Sequence, residues 1–172
     1  ARDPYFHQCV YSIGARLLLE QGFITPLRAG DINASKYETD GLKMQSNGQY
    51  SAATVKAAFE GWGRRTSAIV ADVVAQTQDA TGVMIFAATV AHAKEVMASL
   101  HPDNARLITG ETKKGDREKY IEDFKSRKYL YLVSIGAVST GFDAPNVSHV
   151  AILRATESVS LLKQIFGRAM RL

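Results

Sequence analysis

Val83–Leu100 reads "VMIFAATVAHAKEVMASL", and this stretch decides the fold. It opens with an apolar run of strand length, "VMIFAA", and then changes at Thr89 to the three-and-four spacing of an amphipathic helix, "TVAHAKEVMASL". A run apolar on every residue suits a strand buried on both faces, the usual condition of a parallel sheet. The pattern then recurs: "ARLIT", "KKGDREKYIEDFKS", "YLYLVSI", "VSHVAIL" and a closing helix. Alternating strands and helices predict an α/β fold, a doubly wound parallel sheet with helices on both faces.

Upstream of Gly82 the pattern is different. Val10, Ile13, Gly14 and Leu17 share one side of an expected helix that Gly22 and Pro26 close. From Leu27 to Tyr50 the chain is mixed and polar, and "PLRAGDI" and "GLKMQ" suggest small strands in an irregular stretch. "SAATVKAAFEG", with Ser51 as N-cap, and "RRTSAIVADVVAQT" read as two further helices. No fixed-period repeat or low-complexity tract interrupts the chain.

With 172 residues, 46% hydrophobic and 22% charged, the chain can bury a sizeable core. A formal charge of +4 leans weakly toward polyanionic partners. The single cysteine, Cys9, excludes an internal disulfide and a cysteine-rich zinc site. His7, His92, His101 and His149 lack metal-ligand spacing and read as structural or surface residues, so no metal site is expected. Without a membrane-length apolar run or a signal-peptide pattern, a soluble, cytoplasmic protein that does not engage membranes is expected.

Ligands of doubly wound sheets meet the loops at the carboxyl ends of the strands. After "VMIF", Thr89 reads either as a helix N-cap alone or as a cap that leaves backbone N–H groups for a phosphate. After "ARLI", the loop "TGETKKGDR" reads as a solvated loop or as one that tracks a phosphate backbone through Thr109, Gly110, Lys113, Lys114 and Arg117. "SIGAVSTGFDAP" offers the hydroxyls of Ser134, Ser139 and Thr140, the close approach allowed by Gly136 and Gly141, and the carboxylate of Asp143. It also reads as a plain turn ending at Pro145. No P-loop, GxGxxG turn or GxSxG elbow is present.

"QIFGRAMRL", Gln164–Leu172, ends the chain. At about 100° per residue, Gln164, Arg168 and Arg171 form one polar stripe, and Val159, Leu162, Phe166 and Ala169 fall opposite, where the helix is expected to meet its core.

Two of these segments, "STGFDAP" and "QIFGRAMR", resemble motifs V and VI of superfamily 2 helicases and translocases. The second of those motifs has the pattern Q-x-x-G-R-x-x-R, read here as Gln164, Gly167, Arg168 and Arg171. "IFAATVAHAKEV" resembles motif IV, and the likeness covers roughly Gly82 to Leu172. "YSIGARLLLEQGFITPLRA" resembles the connector between the motor domains in the RadD/YejH-like branch, a DNA-repair group.

The resemblance implies an inter-motor connector over residues 1–60 and a second RecA-like domain over 61–172, truncated at its C-terminal end. It implies arginine fingers at Arg168 and Arg171 for ATP, with Gln164, Gly167, Gly141 and Asp143 around the nucleotide. Thr89, Thr109, Gly110, Ser134, Ser139 and Thr140 would contact the nucleic-acid backbone, with DNA as the track. ATP and Mg²⁺ would be held mainly by an N-terminal RecA-like domain of the same polypeptide, so this chain alone would hydrolyse no ATP. Ile135 replaces a threonine common in motif V, and Ile165 an arginine common in motif VI. The alternative reading is a non-catalytic nucleic-acid or partner-binding module with a helicase-like fold.

Overall fold

A computed structural model describes residues 13–30, 35–136, 144–156 and 158–170, with the side chains of Arg168 and Ala169 outside the description. Four strands, β1 (Val83–Ala87), β2 (Ala105–Ile108), β3 (Tyr131–Ser134) and β4 (His149–Leu153), form one sheet in the order β2-β3-β1-β4. All three pairings are parallel. The predicted doubly wound sheet is therefore present.

Period-two alternation distributes the side chains of the central strand between two cores. Val83, Ile85 and Ala87 pack with Ile69 and Val70 of α3 (Gly63–Gln76) and with Ala93 and Val96 of α4 (Val90–Ala98). Met84 and Phe86 pack on the other side with Phe124 of α5 (Lys114–Lys125) and Ile165 of α6 (Val159–Ala169). All five β1 residues are buried, which is why "VMIFA" carries no polar position.

Gly82, just before β1, is required by space rather than by a turn. A Cβ there would stand 2.7 Å from both the side-chain amide and the backbone oxygen of Asn146. That close approach lets the Gly82 carbonyl accept hydrogen bonds from the N–H groups of Ser148 and His149, which brings the start of β4 against the start of β1.

Two expectations need correction. No strand forms between Leu27 and Tyr50 among the described residues; a single antiparallel bridge, Met44 to Tyr50, stands there beside a turn at Gly48, whose φ is 77°. The Gln45 N–H donates to the Gln49 carbonyl and the Gly48 N–H to the Gln45 carbonyl, and the polar residues around this turn provide no apolar face on which a ladder could extend. The upstream helix α1 (Ala15–Glu20) has no buried residue, and Val10 lies outside the described residues.

The second correction concerns α6. Val159 and Phe166, expected on its core side, are 68% and 37% exposed, while Ile165 is 1% exposed and Leu161 packs against the same cluster. The core face is thus turned by about 100°, one residue's rotation, toward Ile165. A wheel cannot separate two partly apolar sides of one helix. The side chains of Met84 and Phe86 beneath it decide which side is covered.

Helix α2 (Ala52–Phe59) follows Ser51 as read, although the Ser51 side chain makes no capping bond. Its last residue, Phe59, is buried beside Tyr37 and His92, at ring-centroid distances of 5.0 and 5.5 Å.

Candidate nucleotide and nucleic-acid interface

Parallel pairing puts the four strand ends on one edge of the sheet. Phe86 and Ile108 are both in register with Ser134, and Ala87 is in register with Leu153. Thr89, Thr109, Gly110 and Ser134, distant in sequence, are therefore brought to the same carboxyl edge.

Thr89 is the N-cap of α4, its Oγ1 accepting from the His92 N–H at 3.1 Å. Because that oxygen already accepts one bond, its hydroxyl proton is left to donate to another group. The adjacent Ala88 N–H is not available to a ligand, since it donates to Nδ1 of His92 at 3.1 Å.

The loop after β2 is held by its own hydroxyls. Thr112 Oγ1 accepts from the Thr109 N–H at 2.9 Å, and Thr109 Oγ1 accepts from the Glu111 N–H at 3.2 Å. Arg117, from α5, donates through Nη2 to the Thr109 carbonyl at 2.9 Å, while its buried Nε meets no acceptor among the described residues. Gly110 is exposed and open around its Cα, so its backbone is accessible on this loop.

Ser134 is 4% exposed, and its hydroxyl donates to the Gly136 carbonyl at 2.9 Å. In this arrangement it shapes the loop after β3. Arg154, just past β4, donates to the carbonyls of Ile135 and Ala155 and so joins the loops that follow β3 and β4. A cavity of about 240 Å³ lies at this edge, lined by Tyr50, Ala52, Val55, Lys56, Ala88, Thr89, Arg154 and Ala155. A larger groove, about 870 Å³, lies elsewhere, between residues 25–30 and β4.

Sequence reasoning missed Tyr50, Lys56 and Arg154 at this edge. Arg154 carried a usable signal, a cation directly after the apolar run "VAIL". Tyr50 and Lys56 carried none, since only folding brings α2 beside the loop after β1.

On α6, Ser158 caps the helix by accepting from the Leu161 N–H at 3.2 Å, and Gln164 is exposed. Gly167 is half-buried and the backbone of Arg168 is helical. Gly141, Asp143, Ser139, Thr140 and Arg171 lie outside the described residues. Among the described residues, no group of three His, Cys, Asp or Glu could hold a metal ion. No described helix is long and apolar enough to cross a membrane.

Behind the edge, His92 is fully buried. Its Nε2 is 2.7 Å from the Tyr37 hydroxyl, and that hydroxyl donates to Thr66 Oγ1 at 3.1 Å. Thr66 donates to Glu95 Oε2 at 3.3 Å, and Glu95 Oε1 accepts from the Gly61 N–H at 2.6 Å. Burial lowers the imidazole pKa from 6.5 to about 4, against the opposing pull of Glu95 and Glu60. The ring is therefore neutral near pH 7. With Nδ1 accepting from Ala88, its proton resides on Nε2.

The sheet order, the two covered faces and the loops gathered at the carboxyl edge define an α/β domain of RecA-like fold. The family of the helicase conserved C-terminal domain matches residues 66–172, and the chain belongs to that family. It is 36% identical over 69 residues to the Saccharomyces cerevisiae protein named "Putative ATP-dependent helicase IRC3", a match covering 40% of this chain and 10% of that protein. It is 34% identical over 94 residues to the Schizosaccharomyces pombe "Putative mitochondrial ATP-dependent helicase irc3", covering 54% of this chain and 16% of that one.

Solved structures share the fold. T4 UvsW is similar with a TM-score of 0.56 and 18% identity, covering 71% of this chain and 25% of that one. The Escherichia coli DEAD-box protein SrmB is similar with a TM-score of 0.54 and 22% identity, covering 63% of this chain and 65% of that one.

Proposed function

We propose that this chain is the C-terminal motor half of an ATP-dependent helicase or translocase that grips a DNA strand by its phosphates. The observation that carries the reading is the convergence of Thr89, Thr109 and Gly110 on one sheet edge, in a chain whose exposed Gln164 opens the pattern Q-x-x-G-R-x-x-R. Hydroxyl protons and backbone N–H groups address phosphate oxygens rather than base edges, so binding is expected to be indifferent to sequence and to weaken with salt.

In this reading, residues 1–60 connect two motor domains and 61–172 form the second. Gly141, Asp143, Gln164, Gly167, Arg168 and Arg171 face a nucleotide held mainly by the first domain. ATP supplies the phosphoanhydride whose cleavage drives movement, with Mg²⁺ held outside this chain. Arg168 and Arg171 stabilise the charge that develops on the transferring phosphate. DNA as the track, and a role in DNA repair, rest on the likeness of the upstream segment to the RadD/YejH-like connector.

The test is ATP turnover by the whole protein with and without single-stranded DNA, beside the same assay on residues 1–172 alone. The expected result is DNA-stimulated turnover in the first case and none in the second. DNA binding without any turnover by the whole protein would favour the non-catalytic module.

A further inference from the structure

The buried chain from Ala88 through His92 to Tyr37 joins two things that the family match keeps apart. Residues 66–172 carry the family match, and Tyr37 precedes it. The His92 ring faces both ways: Nδ1 accepts from Ala88, next to the helix cap Thr89, and Nε2 meets the hydroxyl of Tyr37. His92 also returns its own N–H to Thr89 Oγ1. The ring is seated by its edge-on contact with Tyr37, at 5.0 Å and 83°, and by the tilted ring of Phe59.

We infer that His92 is a positioning residue with two separable tasks: its Nδ1 sets the Ala88–Thr89 loop for a DNA phosphate, and its Nε2 anchors the segment around Tyr37. The inference rests on the proposed grip of the strand by Thr89. Other groups at this place do not duplicate either task. Glu95 is taken up by Gly61 and Thr66, and Thr66 receives the Tyr37 proton. The Ala88 N–H has one described acceptor, the imidazole nitrogen.

Two substitutions divide the ring. In His92→Asn the amide oxygen occupies the place of Nδ1 and can accept from Ala88, but nothing reaches Tyr37. In His92→Gln the amide nitrogen reaches the place of Nε2 and the Ala88 bond is lost. In the whole protein, binding of a fluorescent single-stranded DNA and hydrogen exchange of the amides around Tyr37 are measured together, with Thr89→Ala and Tyr37→Phe alongside.

His92→Asn and Tyr37→Phe should keep DNA affinity within about twofold while exchange around Tyr37 quickens. His92→Gln should keep that exchange slow and weaken binding about fivefold, as Thr89→Ala does, the loss expected for one hydrogen bond. Equal losses of both properties in the two His92 variants would overturn the inference and leave a purely structural histidine. If neither His92 variant folds, Tyr37→Phe decides, and weakening of DNA binding by that variant as large as that of Thr89→Ala overturns the division of tasks. Absence of DNA binding by the unaltered protein would overturn the proposed function, and this inference with it.

Discussion

The hydroxyl of Tyr37 stands 2.7 Å from Nε2 of His92 across 55 residues of sequence, and the pair is the start of a directed chain that ends on Glu95. A charged imidazole would turn Nδ1 from an acceptor into a donor and set it against the Ala88 N–H. Burial therefore holds the folded-state pKa near 4 against an ordinary 6.5. The unfolded chain binds the extra proton first. Stability from this site is complete above about pH 6.5 and is lost as pH falls toward 4, by up to about 3 kcal/mol. Urea unfolding at pH 7, 5.5 and 4 should show that slope, and His92→Asn should flatten it. An equally steep slope in the variant would assign the effect to other groups.

Ile165 and Val159 test the face of α6. Truncating Ile165 to Ala removes a side chain that is 1% exposed and packed among Met84, Phe86 and Phe124, and should cost about 2–4 kcal/mol. Val159→Ala, at 68% exposed, should change stability by about 0.5 kcal/mol or less. Denaturant midpoints of the two variants measure the difference. The reverse order would restore the face read from the helical wheel.

Gly82→Ala should destabilise the domain by about 1–3 kcal/mol, because its Cβ would stand 2.7 Å from backbone as well as side chain of Asn146. Gly110→Ala, where the space is open and no positive φ is required, should be far milder. Thermal midpoints of the pair provide the comparison. Equal tolerance of both would mean that the turn before β4 shifts freely.

Arg168→Ala and Arg171→Ala in the whole protein should lower ATP turnover by about 10³-fold or more while single-stranded DNA is still bound. Lysine at either position should rescue poorly, since it lacks the planar fork that engages two phosphate oxygens. Steady-state turnover and DNA anisotropy measure the two properties separately. Near-normal turnover in both Ala variants would remove the arginine fingers from the proposed mechanism.

By itself, the sequence determined what depends on local pattern. "VMIFA" reads as a strand covered on both faces, because every position in it is apolar, and Thr89 announced its helix as a side-chain cap. Once the strands were known to run parallel, the loops after "VMIF" and "ARLI" had to share an edge. Tertiary structure alone decided which side of α6 is buried, because Ile165 and Phe166 are similarly apolar and only the residues beneath them distinguish the two. It alone turned the Ser134 hydroxyl onto Gly136 and brought Tyr50 and Lys56 beside Thr89. Tyr37, His92, Thr66 and Glu95 have no shared spacing in the chain, and their hydrogen bonds exist because burying each polar group requires a partner that only the packed fold supplies.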